Sequence, residues 1–228
     1  MVYKAEDVLR NTAVYCPQDL SEKLEEGKAM VQTEGATNLT GLKTIEMATE
    51  ADFDFLATTN NNASEANAKI LSILNMVEGV YESELNLTLS VVFQHTWSTA
   101  DPFNGANSDA LLRSFQAYWN TNYPTSQYPR DAAHLFTYKP NVRAQGFAFL
   151  GVICNNPSFA YGFSGRVDPS WGWEAANFLI TTHELGHNLG ATHSDAMPNC
   201  GNTLMQAQLS GESQLTFCAA SRTEASVR

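Results

Sequence analysis

The sequence predicts an α/β domain in which a sheet packs under two long helices. Three observations predict it. Strand-like and helix-like stretches alternate from residue 44 to residue 189. Residues 63–85 place apolar side chains at helical spacing over an unusually long run. Residues 181–193 carry a pattern of histidines that a helix followed by a turn would bring together.

Residues 1–42 are polar and weakly patterned and read as an N-terminal extension or prosegment remnant ahead of the domain, 43–228. Residues 44–57 read as a strand, and 60–64 as a turn and helix start. In 63–85, Ala66, Ile70, Leu71, Ile73, Leu74, Val77, Val80 and Tyr81 fall at helical spacing. Residues 85–96 alternate through Leu87, Leu89, Val91 and Phe93, as a strand with one buried face does. Ser108 and Asp109 begin a second helix running to about residue 120. Short strands follow at 132–138, ended by Pro140, and at 146–154. A hydrophobic helix over 173–189 comes next, and the chain is then irregular to its end. Trp171, Trp173 and Phe178 are expected to pack this helix, and there is no internal repeat or low-complexity tract.

Residues 183–193 read H-E-x-x-H-x-x-G-x-x-H. His183 and His187 are four apart, so on a helix of about 3.6 residues per turn they share a face. Two neutral imidazoles so placed can bind one Zn²⁺. Glu184 follows the first of them directly, which suits a general base beside the metal. His193 reaches the same ion only if the chain turns back, and Gly190 stands where that turn must come. Three histidine ligands leave a fourth position for water, the arrangement of a catalytic zinc.

The long motif resembles that of the metzincin metallopeptidases. Their catalytic domain is a mixed twisted sheet with two long helices, a zinc helix and a Met-turn, and the resemblance makes Met205 the Met-turn methionine. The order of elements over 44–221 is similar to the adamalysin (reprolysin) branch, including bacterial reprolysin-like enzymes. Arg130-Asp131-Ala132-Ala133-His134-Leu135, Gly146 to Cys154, Tyr161-Gly162-Phe163-Ser164 and Thr216-Phe217-Cys218-Ala219-Ala220-Ser221 carry it. The resemblance implies a zinc endopeptidase with Glu184 as base. Its extended substrate would lie antiparallel to an edge strand made of Gly146, Phe147, Ala148, Phe149, Leu150 and Gly151. Gln206 to Leu209 would wall the leaving-group side, and Cys154 would bond Cys218. Two positions depart from the family. Ser194 stands where adamalysins have Asp, with Asp195 following, and Ala207 stands where astacins and serralysins have a Tyr. Metzincin-like domains can also serve as latent or non-catalytic binding and adhesion modules, which is the alternative reading.

Charge and cysteines narrow the setting. A net charge of −11 argues against nucleic acid and anionic membrane surfaces as partners. No apolar run reaches the 18 or so residues of a membrane span. Protein or peptide substrates and a monomer are expected. The four cysteines beside such a motif suggest disulfides and a secreted, extracellular protein, although the first residues carry no signal-peptide apolar region. Cys16 has two readings: pairing with Cys200, or a thiolate that occupies the zinc in a latent form. His95 and His134 are expected to be core or surface histidines. No D-x-D-x-D-G pattern is present, so a Ca²⁺ site is not indicated.

Overall fold

In the computed structural model, the described residues are 14–15, 41–104, 107–140, 142, 145–165 and 173–225. Their elements are β1 (Val14–Tyr15), β2 (Lys43–Ala51), α1 (Phe53–Ala57), α2 (Ala63–Leu85), β3 (Leu87–Thr96), α3 (Ser108–Asn122), β4 (Ala132–Phe136), β5 (Gly146–Ala148), β6 (Tyr161–Ser164), α4 (Trp173–Leu189), β7 (Gln208–Leu209) and α5 (Ala219–Ala225). Five strands form one sheet in the order β3-β2-β4-β6-β5. The first four run parallel, and β5 is antiparallel at the edge beside β6. This is the mixed sheet with long helices that the sequence predicts.

Parallel neighbours need a crossover, and α2 supplies one between β2 and β3. Asn62 caps α2 by accepting from Ser64 N and Glu65 N, and Asn86 ends it in the left-handed region at φ 57°. Its buried face is the set the periodicity picks out, Ala66 through Tyr81, except Leu71, which stands next to Ile70 on the helix, turns about 100° away from it and is exposed. β4 lies inside the sheet and is buried at every position, so it shows no polar alternation. Phe55, Phe136, Phe115, Trp119, Tyr161 and Phe163 are among the largest side chains of the core.

Three boundaries differ from the sequence reading. The strand expected over 44–57 ends at Ala51, and residues 53–57 turn helical. Asp52 causes the switch: its carboxylate accepts from Phe55 N at 2.7 Å and caps α1. The strand expected over 132–138 ends at Phe136. Of the stretch 146–154, only Gly146–Ala148 is strand. Beyond it Gly151 and Cys154 take positive φ, 65° and 63°, and bend the chain into turns.

The disulfide expectation is overturned. Cys200 bonds Cys218, with Cα atoms 5.1 Å apart, while Cys154 is a free, exposed thiol. Backbone bonds from Gln214 N to Asn202 O and from Leu204 N to Thr216 O lay residues 214–216 along 202–204. Cys200 precedes the first of these stretches and Cys218 follows the second, while Cys154 stays on its own turn. Cys200 is thereby unavailable to Cys16, which lies outside the described residues, as does Trp171. Closing a loop of this length contributes on the order of 3 kcal/mol. Among the described residues no helix is long and apolar enough to cross a membrane.

Candidate metal centre

The C-terminal half of α4 carries His183 and His187 on one face, both buried. Gly190, at φ 110°, then reverses the chain, and Ala191 N closes the turn on Gly186 O at 3.0 Å. The reversal returns His193 to the first two. The three Nε2 atoms converge: His183 to His187 at 3.0 Å, and each to His193 at 3.3 Å.

The other nitrogens settle the tautomers of the two helical histidines. His183 Nδ1 donates to Leu204 O and His187 Nδ1 to Ala191 O, both at 2.7 Å. A carbonyl only accepts, so each Nδ1 holds the proton and each Nε2 offers a lone pair. Burial pushes the His183 pKa down to about 3, His193 adds to the shift, and the Leu204 carbonyl opposes it. Burial likewise lowers His187 well below its usual value, and His193 by less. Lone pairs converging this closely repel unless a cation lies among them. Tetrahedral ligands about 2.0–2.1 Å from zinc stand about 3.3 Å apart. The donor set therefore fits one such ion, and it is one of two clusters of suitable donors among the described residues.

The second cluster, Asp52, Asp54 and Asp101, holds its own cation. Lys139 Nζ lies 3.1 Å from Asp54 and 2.9 Å from Asp101. Burial raises the Asp52 pKa to about 7. His95 and His134 stand outside both clusters, as the sequence reading expects. His95 Nδ1 meets Glu50 at 2.6 Å, and His134 is wholly buried in β4.

Met205 is fully buried beneath the helix. A Cβ at Gly186 would lie 2.7 Å from Met205 Sδ, so the glycine between the two helical histidines admits the methionine. Ser194 N donates to Met205 O at 2.8 Å, and Asp195 accepts from Ala207 N at 3.1 Å. The two residues after His193 thus tie the Met205 segment under the ring cluster.

Glu184 is buried against the first residue of β5. A Cβ at Gly146 would overlap its Oε1 and would stand 2.6 Å from Ile180 Cγ2. Phe149 N donates to Tyr161 O, and Gly165 N to Gln145 O. In an antiparallel pair such bonded residues alternate. Phe147, opposite Phe163, therefore also faces β6, and Gly146 and Ala148 turn their main-chain groups away from β6, on a strand buried at every position. Leu150 and Gly151 leave the strand; Gly151 N instead bonds His187 O at 2.8 Å. Of Gln206 to Leu209, Gln206 is tied to Ser194 Oγ and Cys200 O, and Gln208–Leu209 pairs antiparallel with Val14–Tyr15.

Some supporting residues escape sequence reasoning. Asn188 donates to Phe149 O at 2.7 Å and Tyr161 O at 3.1 Å, joining α4 to β6 and to the residue that follows β5. Glu224 of α5 accepts from Thr192 N at 2.8 Å, beside His193. Asn188 abuts a motif histidine, which is a signal of place but not of role. Glu224 carries none.

A sheet with one antiparallel edge, a helix-and-turn histidine triad and a buried methionine below it define a reprolysin-like metzincin domain. The family model described as metallo-peptidase family M12, of reprolysin type, matches residues 41–225, and the chain belongs to that family. Metalloproteases of this family use zinc. The chain is similar to the zinc metalloproteinase-disintegrin-like brevilysins H2a and H2b of Gloydius brevicauda. Each is 26% identical over 188 residues, covering 79% of this chain and 42% of the relative. It is also similar to the snake venom metalloproteinase trimerelysin-2 of Protobothrops flavoviridis, 29% identical over 153 residues, 66% of this chain and 73% of the relative. The chain thus spans less than half the length of the brevilysins it matches. A solved structure titled "Structure of a chaperone-substrate complex" matches with a TM-score of 0.54 at 18% identity, over 70% of this chain and 28% of that one, and bears on the fold alone.

Proposed function

We propose that the protein is a secreted zinc endopeptidase that hydrolyses peptide bonds in extended protein substrates. One observation carries the reading: three neutral imidazoles converge on one point, next to a carboxylate that lies against the outermost strand of the sheet. His183, His187 and His193 would hold Zn²⁺, which when bound supplies Lewis acidity toward water and toward the scissile carbonyl. Glu184 takes the proton of the attacking water and delivers it to the departing amine. Gly146 and Ala148 bond the substrate main chain as an added strand, so affinity needs no particular substrate side chain. Leu204 and Ala191 hold the imidazoles in the donating tautomer through their carbonyls. Ala207 provides no hydroxyl to the developing oxyanion.

The test is casein hydrolysis by zinc-loaded protein, with Glu184→Ala alongside. The expected result is cleavage that o-phenanthroline stops, with the variant binding zinc yet at least about a hundredfold slower. Zinc-loaded wild type as silent as the variant would overturn the reading in favour of a latent or purely binding domain.

The pairing of β1 with β7 favours one form of latency. Val14–Tyr15 adds a strand to Gln208–Leu209, on the wall expected to receive the leaving-group side of the substrate. The N-terminal stretch then competes with substrate for that wall. Cys16 follows Tyr15 directly, and its role in this form is settled by whether alkylating it in native protein raises activity.

A further inference from the structure

Residues 175–189 of α4 are all buried. A helix buried on every side has no contrast between a wet and a dry face to fix its rotation about its own axis. One residue of slip turns it by about 100° and would carry the motif side chains off their partners. Directional bonds must therefore fix the rotation.

Three such anchors surround the motif. Tyr81 OH, from α2, donates to Thr182 O at 2.8 Å. Asn188 reaches the carbonyls of Phe149 and Tyr161. The third runs from the sheet: His134 Nε2 lies 2.8 Å from Ser164 Oγ, which lies 2.7 Å from Thr181 Oγ1. Thr181 and Asn188 are seven residues apart, so they share one face and grip the sheet on either side of His183 and His187.

His134 is an odd choice for packing alone. It sits at 0% exposure in the middle of the sheet, and its Nδ1 meets no hydrogen-bond partner among the described residues. An apolar residue there would avoid leaving that nitrogen bare. What the imidazole adds is the Nε2 bond. With Nδ1 unpartnered, the proton is assigned to Nε2, Ser164 accepts it, and Ser164 donates onward to Thr181. The ring itself is wedged. It lies 5.1 Å from the Phe136 ring, and a Cβ at Gly162 would come within 3.2 Å of Nδ1.

We propose that His134, Ser164 and Thr181 form a buried hydrogen-bonded pin that sets the rotation of α4, making His134 a positioning residue for the ligands His183 and His187. The pin acts on the metal only through helix orientation. It rests on the zinc reading above, and the test separates the two.

The measurement is Zn²⁺ affinity by competition with a chromophoric chelator, together with the thermal midpoint of the metal-free protein and kcat and KM on a peptide substrate. Thr181→Val removes the hydroxyl and keeps the side-chain shape, and is expected to weaken Zn²⁺ binding roughly tenfold and lower kcat with KM little changed. Thr181→Ser restores the bond and should recover both. His134→Gln, which keeps a donor near the Nε2 position, should stand closer to wild type than His134→Leu. If Thr181→Val binds Zn²⁺ as tightly as wild type, or Thr181→Ser recovers nothing, the pin is overturned even though the zinc site stands. Should His134→Leu fail to fold, the two Thr181 variants decide alone. A wild type that binds no Zn²⁺ overturns the zinc reading and the pin together.

Discussion

Gly146 has no side chain to offer, yet the carboxylate of Glu184 occupies the space a side chain would take. Ile180 Cγ2, 2.6 Å from the same point, closes the other way out. Gly146→Ala must therefore push Glu184 aside. A displacement of about 1 Å in the proposed base costs on the order of a hundredfold in rate. The expected outcome is a loss of that size in kcat/KM with Zn²⁺ still bound, measured by peptide hydrolysis and metal analysis on the same sample. Full activity in Gly146→Ala would mean that Glu184 has another place to stand.

At the same scale, His134 governs part of the response to acid. Burial alone lowers its pKa from 6.5 to about 3. Between those values the unfolded chain takes up a proton that the folded chain refuses. Stability is therefore full above pH 6.5 and falls as pH drops toward 3. Asp52, raised by burial to about 7, works in the opposite sense, losing its contribution as pH rises. Its effect is common to wild type and variant and cancels in the comparison. From pH 7 to pH 5 the wild type should lose roughly 2 kcal/mol more unfolding free energy than His134→Gln. Denaturant titrations at the two pH values measure it, and parallel losses would show that His134 is not buried neutral.

At the scale of elements, what a short sequence window determines was legible and what distant partners determine was not. The face of α2 is a local periodicity, so all of its buried residues from Ala66 to Tyr81 could be read directly, with only the exposed Leu71 read in wrongly. The histidine triad is likewise contained in residues 183–193, and the return of His193 through Gly190 follows from glycine's access to positive φ. The boundary at Asp52 was missed because apolar content runs on through Phe53 and Phe55, while one carboxylate chooses cap over strand. β5 was read too long because Phe149, Leu150, Val152 and Ile153 are as apolar in a turn as in a strand; they are buried under the end of α4, where Val152 N and Ile153 N both bond Asn188 O. The disulfide was misassigned because Cys200 and Cys218 both lie in irregular chain, with no periodicity to read.

Over the whole molecule, the sheet and its helices are dense in regular hydrogen bonds, whereas residues 190–218 contain only the two-residue strand β7. That segment is held by discrete ties. Cys200–Cys218 closes it, and Glu84 on α2 takes bonds from Thr216 Oγ1 at 2.6 Å and Phe217 N at 3.1 Å. At the site, hydrogen bonds from His183 to Leu204 O and from Thr192 N to Glu224 hold it, and the proposed metal would add a tie from His193 to the two histidines of α4. Zinc should then stabilise the fold by mass action. At free metal about a thousandfold above Kd the gain is about 4 kcal/mol, or roughly 8–16 °C in thermal midpoint for a chain of this size. It should also act unevenly. On chelation, amide exchange should rise first in residues 191–209, where ties are few, and last in β2 and β4, whose bonds belong to the sheet. A midpoint indifferent to chelator and to added zinc would remove the metal from this account. A midpoint that falls with uniform exchange would keep the metal but show that it stabilises the fold as one cooperative unit.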